Sequence, residues 1–380
     1  MTITRILDEN YLDLDIISNA TVSSAQASFP VSNLYNQQRR SKVWRSSGYW
    51  DITSSNNTLV FRETTSVNLT ATIAVAEYTS NATFFAAIKS ALESAGGSTY
   101  TITRDSNNQK IYIGSDLGGG GGIFELIWTS STIGETLGFD DTADDTGSDE
   151  YAADEIRTGT SEWIKWDFGI STNPQAFVLI GKRNKPIQIS PSAVIKLQGN
   201  GTDVWTAPEY EQTLTFNDTI IALFKDDADA GLHTEALRYW RCEIIDLDNP
   251  LGYVELGSAF LGNFWEPTRG AVQIPFTGKY IDRSDTVFSE GGQTFSDIRE
   301  KSEEFDIEWY GLTIGEKEKI DEIFDKFGTS LPFFISIDPT PAMSSSSNYY
   351  LRFVKLSSEP SYRLESPQNF SCSMSLREEL

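Results

Sequence analysis

The stretch that decides the fold is TSEWIKWDFGISTNPQAFVLIGKRN, residues 160–184. Apolar side chains recur there at every second position, and they do so again near residue 240: Ile164, Trp166 and Phe168, then Trp240, Cys242 and Ile244. In a β-strand this spacing places each set on one face. An apolar run at residues 177–181 predicts a further strand. Together these faces are enough to build the core of a β-sandwich.

Strand signals dominate the rest of the chain as well. Val and Ile alternate with Thr, Ser, Asn and Gln, and turns rich in Gly, Asn and Asp recur at short intervals. This pattern is typical of antiparallel sandwiches and barrels. The sequence therefore predicts a mainly β protein.

Two stretches predict helices instead. From Asn81 to Ala95 and from Glu316 to Phe327, apolar side chains fall three or four positions apart on one face: Phe84, Ile88 and Leu92, then Ile320, Ile323, Phe324 and Phe327. Ser80 or Asn81 would cap the first helix, and Gly96 would end it in a left-handed conformation. Gly328 would end the second helix.

Composition limits the possible partners. The chain has 380 residues, of which 39% are hydrophobic and 12% aromatic, and this favours a globular protein of two or three domains. A net charge of −24 repels phosphate, so we expect no nucleic-acid binding. The first residues, MTITRILDENYLDLD, lack the basic start and apolar block of a signal peptide, and no apolar run is long enough to span a membrane. We therefore expect a soluble protein made in a cytosol, with no membrane insertion.

Residues that could carry catalysis are scarce. His233 is the only histidine and no nucleophile motif surrounds it, which excludes most histidine-based enzymes and multi-histidine zinc sites. Cys242 and Cys372 lie far apart and are interpreted as buried small hydrophobic residues. A glycosidase with two carboxylates needs no histidine, but none of the 54 acidic residues is marked by its context. We predict no enzyme, no catalytic residue and no cofactor.

Two unusual runs raise the question of bound ligands. A nucleotide-binding loop needs a lysine and a hydroxyl residue after its glycines, whereas Gly118 to Gly122 lead into strand-like residues, so we interpret them as a surface connection. Residues 138–157 are acidic and aperiodic, which predicts an exposed linker. Calcium binding is the alternative there, although the spacing of the aspartates does not follow an EF-hand: Asp140, Asp141, Asp144, Asp145 and Asp149. We predict no metal site.

Several segments resemble one known fold, the discoidin or galactose-binding-like jelly roll. Residues 163–169 and 177–181 resemble a strand pair of that family, and FPVSNLYNQQRRSKVWRSSG, residues 29–48, resembles its early region. ALRYWRCEII, residues 236–245, is similar to its late strand, and LGYVELGSAFLGNFWEP, residues 251–267, would close the unit. The resemblance implies a discontinuous jelly roll built from residues 1–50 and 159–267.

The remaining segments resemble parts of tailed bacteriophages. Residues 51–158 read as an inserted α+β module, which resembles modules of phage structural proteins and costs little loop entropy if it has its own core. Residues 268–380 resemble distal tail and baseplate proteins, in which a tail-tube-like β-sandwich with one helix forms rings. The resemblance implies a ring, a hexamer in that family, in contact with other tail and baseplate proteins.

The combined resemblance implies a structural virion protein, made in the bacterial host cytoplasm and located at the tail tip. It would connect the tail tube to peripheral tail proteins, and its negative charge would keep free subunits soluble. Two basic clusters could orient neighbouring subunits against acidic residues near 140–155, unless they are solvated loop charges: Arg39, Arg40, Lys42 and Arg45, then Lys182, Arg183 and Lys185.

A glycan-binding module is the alternative function. Jelly rolls of this type often bind sugars in their end loops, where an aromatic ring stacks on the sugar and polar groups fix its hydroxyls. A host surface polysaccharide would then be the partner. The candidate aromatic residues, each of which could instead belong to the core, are Trp44, Trp50, Trp205 and Tyr210.

Overall fold

The computed structural model describes residues 4–12, 20–35, 42–64, 66–117, 123–182, 187–214, 220–224, 236–247, 249, 251–267, 277–299, 301–337 and 351–379. Strands dominate these residues, which confirms the predicted mainly β fold. In chain order the strands are β1 (Arg5–Asn10), β2 (Ala20–Val22), β3 (Trp44–Arg45), β4 (Trp50–Ile52), β5 (Thr58–Arg62), β6 (Leu69–Thr72), β7 (Ala76–Tyr78), β8 (Tyr100–Arg104), β9 (Ile111–Ser115), β10 (Glu125–Leu126), β11 (Glu150–Ala152), β12 (Glu162–Thr172), β13 (Ala176–Ile180), β14 (Val194–Asn200), β15 (Tyr210–Leu214), β16 (Ile220–Phe224), β17 (Leu237–Ile245), β18 (Glu255–Leu256), β19 (Ser258–Trp265), β20 (Thr277–Asp282), β21 (Asp285–Phe288), β22 (Thr294–Asp297), β23 (Lys301–Leu312), β24 (Phe333–Ser336), β25 (Leu351–Leu356), β26 (Ser361–Ser366) and β27 (Asn369–Glu378).

The described residues also form three α-helices, α1 (Asn81–Ala95), α2 (Gly134–Leu137) and α3 (Ile314–Phe327). Helix α1 has its predicted bounds, and the Ser80 side chain accepts a hydrogen bond from the Thr83 amide. The left-handed conformation expected at Gly96 is wrong: its φ is −107°, because its amide bonds back to Leu92 and the chain continues extended. Helix α3 starts two residues before its predicted start, because Thr313 and Glu316 cap each other's backbone amides.

The region around residues 160–184 contributes one strand to each of the two sheets of a sandwich. One sheet has the strand order β15-β14-β17-β12-β2, and it faces strands β16, β13 and β19. Within the first sheet Trp166 lies opposite Trp240 and Ile164 opposite Cys242, with all four side chains buried as their spacing predicts. Strands β12 and β13 belong to opposite sheets and are not hydrogen-bonded to each other, so they meet across the core, where the rings of Trp166 and Phe177 lie 6.3 Å apart.

Residues 50–153 form a separate core around helix α1. Three small sheets surround it, with strand orders β10-β5-β6, β11-β9-β8 and β4-β7. The indole of Trp50 stacks on Phe84 of the helix at 4.6 Å. The glycine run at 118–122 lies outside the described residues, between the last residues of the β9 region and β10. The module therefore has the hydrophobic core that an insertion of this length needs.

The acidic run at 138–157 is largely exposed, as its composition predicts, but part of it packs into the module. Tyr151 is buried in β11, which pairs with β9. The carboxylate of Asp145 accepts a 2.8 Å hydrogen bond from the indole of Trp128, and its backbone bridges to Leu126. Periodicity missed these contacts because a single short strand and one side-chain acceptor leave no repeating pattern.

One sheet crosses the predicted boundary at residue 267. Its strand order is β16-β13-β19-β1-β24-β25-β27-β23-β20, with β26 paired to β27. Strand β1 pairs with β19 on one side and with β24 on the other. At the β19 contact a Cβ on Gly262 would lie 1.9 Å from the Glu9 carbonyl oxygen, so only glycine fits this close approach.

Side chains of this sheet alternate between two clusters. Ile6 faces a core built from β23, β24, β25, β27 and the apolar side of α3, whereas Leu7 faces a cluster with Phe260 and Phe334 on the opposite side. The Lys326 ammonium at the end of α3 donates to the Asp8 carbonyl, and Lys319 forms a 2.9 Å ion pair with the Asp8 carboxylate. Helix and sheet are thereby fixed to β1.

A buried carboxyl group lies where the inserted module leaves the sandwich. Glu162, the first residue of β12, is only 7% exposed. Its carboxylate accepts hydrogen bonds from the hydroxyls of Ser23 and Ser24, and Ser46 and the Gly48 amide also contribute. Burial away from water raises the pKa of Glu162 to about 7, while these hydrogen bonds oppose the shift. These hydrogen bonds connect residues that precede the inserted module with Glu162, which follows it.

Stability should therefore depend on the ionisation of Glu162. Because the folded protein holds this proton more tightly than the unfolded chain, its stabilising contribution is complete below pH 4.5 and is lost as the pH rises through 7. The loss amounts to about 3 kcal/mol at 1.4 kcal/mol per pKa unit. We expect Glu162→Gln to remove this part of the pH dependence of the free energy of unfolding, measured by urea titration between pH 4 and 8.

The exposed Glu359 offers the matched control. Glu359→Gln should leave the pH dependence of the parent protein unchanged. Parallel curves for the parent and Glu162→Gln across this range would contradict the assignment.

Candidate assembly interface

The largest exposed apolar side chains among the described residues concentrate in the C-terminal region. Strand β20 and the hairpin β21–β22, residues 277–299, form a β-arm in which almost every side chain is exposed. Its exposed apolar members include Phe288 at 71% and Ile298 at 86%; the full set is Tyr280, Val287, Phe288, Phe295 and Ile298. An isolated two-stranded hairpin is marginally stable in water, and an exposed apolar patch of this kind marks a candidate interaction surface.

The sequence determines the hairpin locally. Strands β21 and β22 pair antiparallel, with Val287 directly opposite Phe295. The turn is closed by hydrogen bonds from the Ser289 amide to Gln293 and from the Gly292 amide to Ser289, and Gly292 has a φ of +79° that favours glycine. Arg299 forms ion pairs with the carboxylates of Asp285 and Asp297, on both strands. The apolar pair is thus presented on an ordered scaffold.

Strand β26 carries a second exposed apolar surface. All six of its residues are exposed, including Tyr362 at 62% and Leu364 at 59%. The Lys317 ammonium of α3 lies 4.4 Å from the centroid of the Tyr362 ring. This strand was not predicted from the sequence, because SYRLES has only two apolar residues and no strong strand signal.

Of the basic residues predicted to orient subunits, only Lys42, Arg45 and Lys182 lie among the described residues. Arg39, Arg40, Arg183 and Lys185 lie outside the described residues, Lys42 is exposed, and Lys182 is half-buried. Arg45 does not fit the expected intersubunit role. Its guanidinium forms a largely buried ion pair with Glu255 at 2.5 Å and lies 4.1 Å from the ring centroid of Phe29. Its charge is satisfied within its own chain.

Three of the four candidate sugar-contact aromatics are core residues. Trp44 and Trp50 are fully buried and Tyr210 is nearly so. The indole of Trp44 donates to the Ser24 carbonyl, and Tyr210 packs 5.7 Å from Trp240. A ring enclosed in this way has no free face for a sugar, so these three assignments are corrected; only Trp205 is solvent-accessible.

Trp205 lies over the outer face of the five-stranded sheet. The Arg241 guanidinium stacks 4.7 Å from its ring centroid, and the indole donates a 2.7 Å hydrogen bond to Asp203. Arg241 also donates to the Gln198 side-chain oxygen at 2.7 Å. Burial lowers the pKa of Arg241, opposed by neighbouring carboxylates, of which Glu243 contributes most. This face forms one connected network of an aromatic ring, cations and planar polar groups.

Trp163 extends the same face on β12. The Lys165 ammonium lies 5.5 Å from its ring centroid and forms a 2.7 Å ion pair with Asp203. Sequence reasoning placed Ile164 and Trp166 in the core but did not identify Trp163, Gln198 or Arg241 as neighbours. The alternation of β12 was the available signal, because it assigns Trp163 and Lys165 to the face opposite the core.

Other candidate chemistry is limited. Cys242 and Cys372 are both buried free thiols, as predicted, and burial raises their pKa values. His233 lies outside the described residues. Within the described ranges, no group of three or more acidic, histidine or cysteine side chains is arranged to hold a metal ion. No described helix is both long and apolar enough to cross a membrane.

Comparison with known proteins does not identify a family or a function for this chain. No family model and no curated protein matches the chain. One aligned solved structure, the His 62 mutant of the lectin binding domain of Lectinolysin complexed with Lewis b, covers 28% of this chain and 67% of its own. The alignment has 12% identity and a TM-score of 0.20, which is too low to carry an argument about fold or function.

The β-arm should be dispensable for the stability of a single chain. Because Phe295 is 60% exposed, Phe295→Ser should change the free energy of unfolding by less than about 0.5 kcal/mol. Ile307→Ala, at a fully buried site in the adjacent β23, is the contrast and should cost about 2–5 kcal/mol. Urea unfolding at dilute protein concentration measures both. A large loss for Phe295→Ser would show that the arm belongs to the core.

Proposed function

We propose that this chain is a structural protein without enzymatic activity, which assembles into a ring through its C-terminal region at the tail tip of a bacteriophage virion. The ring connects the tail tube to peripheral tail proteins. The observation that carries the assembly is the β-arm, which presents Val287, Phe288 and Phe295 to solvent on a hairpin with no core of its own. The location in a phage tail follows from the sequence resemblance of residues 268–380.

Burial of the arm supplies the driving force for association. A Val or Phe side chain moved from water into an apolar contact contributes about 1.5–3 kcal/mol. Several such side chains on one arm offset the entropy lost when two subunits associate. Symmetry then repeats the contact around a ring, so each added copy buries the apolar side chains of one further arm.

The first test is the assembly state of the purified full chain. We expect a concentration-dependent rise in mass by light scattering, together with rings in negative-stain electron micrographs. Val287→Asp combined with Phe295→Asp should remain monomeric, because two charges would be buried at the contact. Ile170→Asp is the matched control, since Ile170 is also strongly exposed but lies on β12, and it should assemble normally.

A chain that stays monomeric at every concentration and ionic strength would reject the proposal. Assembly that persists in the double aspartate variant would show that another surface joins the subunits. Electron microscopy of the parent particle tests the location independently: a density for this chain away from the tail tip rejects the tail assignment while leaving assembly intact.

A second candidate function is glycan binding on the outer sheet face. The specific observation is that two indoles, Trp163 and Trp205, lie on one sheet face beside charged side chains that can bond sugar hydroxyls. In this arrangement the rings would stack on the sugar, and Lys165 and Arg241 would fix its orientation. A host surface polysaccharide is the matching ligand class.

A glycan array probed with the purified chain tests this second function. If Trp205 stacks on the sugar, Trp205→Ala should weaken the bound signal at least about tenfold, which corresponds to roughly 1.4 kcal/mol. Val204→Ala changes the exposed neighbouring side chain and should retain binding. No bound glycan, or equal binding by both variants, would reject this role for the sheet face.

A further inference from the structure

The outer face of the five-stranded sheet combines aromatic rings with ion pairs. Trp163 projects from β12, and Trp205 lies over the sheet on the loop between β14 and β15. The carboxylate of Asp203 connects the two rings. It accepts a 2.7 Å hydrogen bond from the Trp205 indole and another of 2.7 Å from the Lys165 ammonium, which lies 5.5 Å from the centroid of the Trp163 ring. Both rings therefore belong to one connected surface.

The protein itself holds both rings in place. Trp163 packs edge-on against Tyr49, with the ring centroids 6.2 Å apart. The guanidinium of Arg241, which projects from β17, lies 4.7 Å from the centroid of the Trp205 ring. Because these contacts order the rings in the free chain, a ligand that stacks on them costs the protein little side-chain entropy.

The cations beside these rings are paired with carboxylates of the same chain. The ion pairs are Lys165 with Asp203 at 2.7 Å, Lys196 with Glu211 at 2.9 Å, Arg238 with Asp167 at 2.7 Å and Arg241 with Glu243 at 3.5 Å. An anionic sugar would have to displace a carboxylate from one of these pairs. The net charge of −24 would also oppose its approach. The face is therefore poorly suited to a charged glycan.

Ion pairs of this kind can still bond uncharged groups. An ammonium or a guanidinium has more N–H donors than one ion pair uses, and a carboxylate has more lone pairs. A sugar hydroxyl both donates and accepts hydrogen bonds, so it can bond either partner without separating the two. The apolar side of a sugar ring would meanwhile lie on an indole. Hydroxyl groups without charge therefore match this surface.

We propose that the ligand of the outer sheet face is an uncharged polysaccharide, which carries hydroxyls but no carboxylate, sulfate or phosphate groups. The inference rests on the second candidate function, glycan binding, and names its ligand class. The rings of Trp163 and Trp205 stack on the sugar, and the intact ion pair of Lys165 and Asp203 bonds its hydroxyls. The ion pairs thus select against charge as well as orienting the ligand.

A polysaccharide panel probed with the full chain tests the ligand class. The panel contains neutral polysaccharides, and each acidic polysaccharide is printed beside its carboxyl-reduced form, so that the two differ only in charge. We expect binding to neutral members and to reduced forms in preference to their acidic counterparts. Because no net charge is neutralised on binding, the bound signal should change less than about twofold between roughly 0.05 and 0.5 M NaCl.

Asp203→Asn tests whether the ion pair makes this selection. The variant removes the charge opposite Lys165 but keeps an oxygen for the Trp205 indole, so its ratio of acidic to neutral signal should rise at least about fivefold. Asp325→Asn, at an exposed position of α3, is the matched control and should leave that ratio unchanged.

The possible failures separate the ligand class from glycan binding itself. A parent chain that prefers acidic polysaccharides to their reduced forms, or an unchanged ratio in Asp203→Asn, would overturn the inference and leave glycan binding standing. A chain that binds no member of the panel would overturn both.

Discussion

The structure depends on one six-residue strand that is bonded on both sides. Strand β1 pairs with β19 through Ile6 and Trp265 and with β24 through Ile6 and Ile335. Neighbouring residues of β1 then supply two different clusters, because Ile6 and Leu7 point to opposite faces. Removing this strand would leave unpaired backbone groups on both β19 and β24, and buried unpaired groups are costly. The sandwich and the C-terminal region therefore share one hydrogen-bonded sheet.

The inserted module is attached differently. It has its own core and returns to the sandwich at Glu162, where serines from before the module donate to a carboxylate after it. A buried carboxyl group is tolerated there because several donors converge on it. These polar contacts close the sandwich at the point where the module is inserted, and their strength depends on pH.

Sequence periodicity predicted elements much better than it predicted their partners. The alternation around Trp166 and the stripe through Phe84 each depend on local spacing, and both elements occur where expected. The continuous sheet could not be predicted from periodicity. Nothing in RILDEN, the sequence of β1, indicates that this strand pairs with β19 on one side and with β24 on the other. Burial of Trp44 and exposure of Trp205 were equally inaccessible, because an indole suits a core or a surface and only its neighbours decide which. The β-arm was missed for the same reason: Val287 and Phe295 alternate as core residues do, but no sheet or helix of the described chain covers them.

Exposed apolar side chains and a net charge of −24 serve compatible purposes on one chain. Charge repulsion acts between whole molecules over about a Debye length, roughly 8 Å at physiological ionic strength, and it opposes contacts in arbitrary orientations. Apolar contact acts only where surfaces touch and is weakly affected by salt. Free chains therefore resist unspecific association, and under the proposed assembly only a geometry that buries the arm would overcome the repulsion.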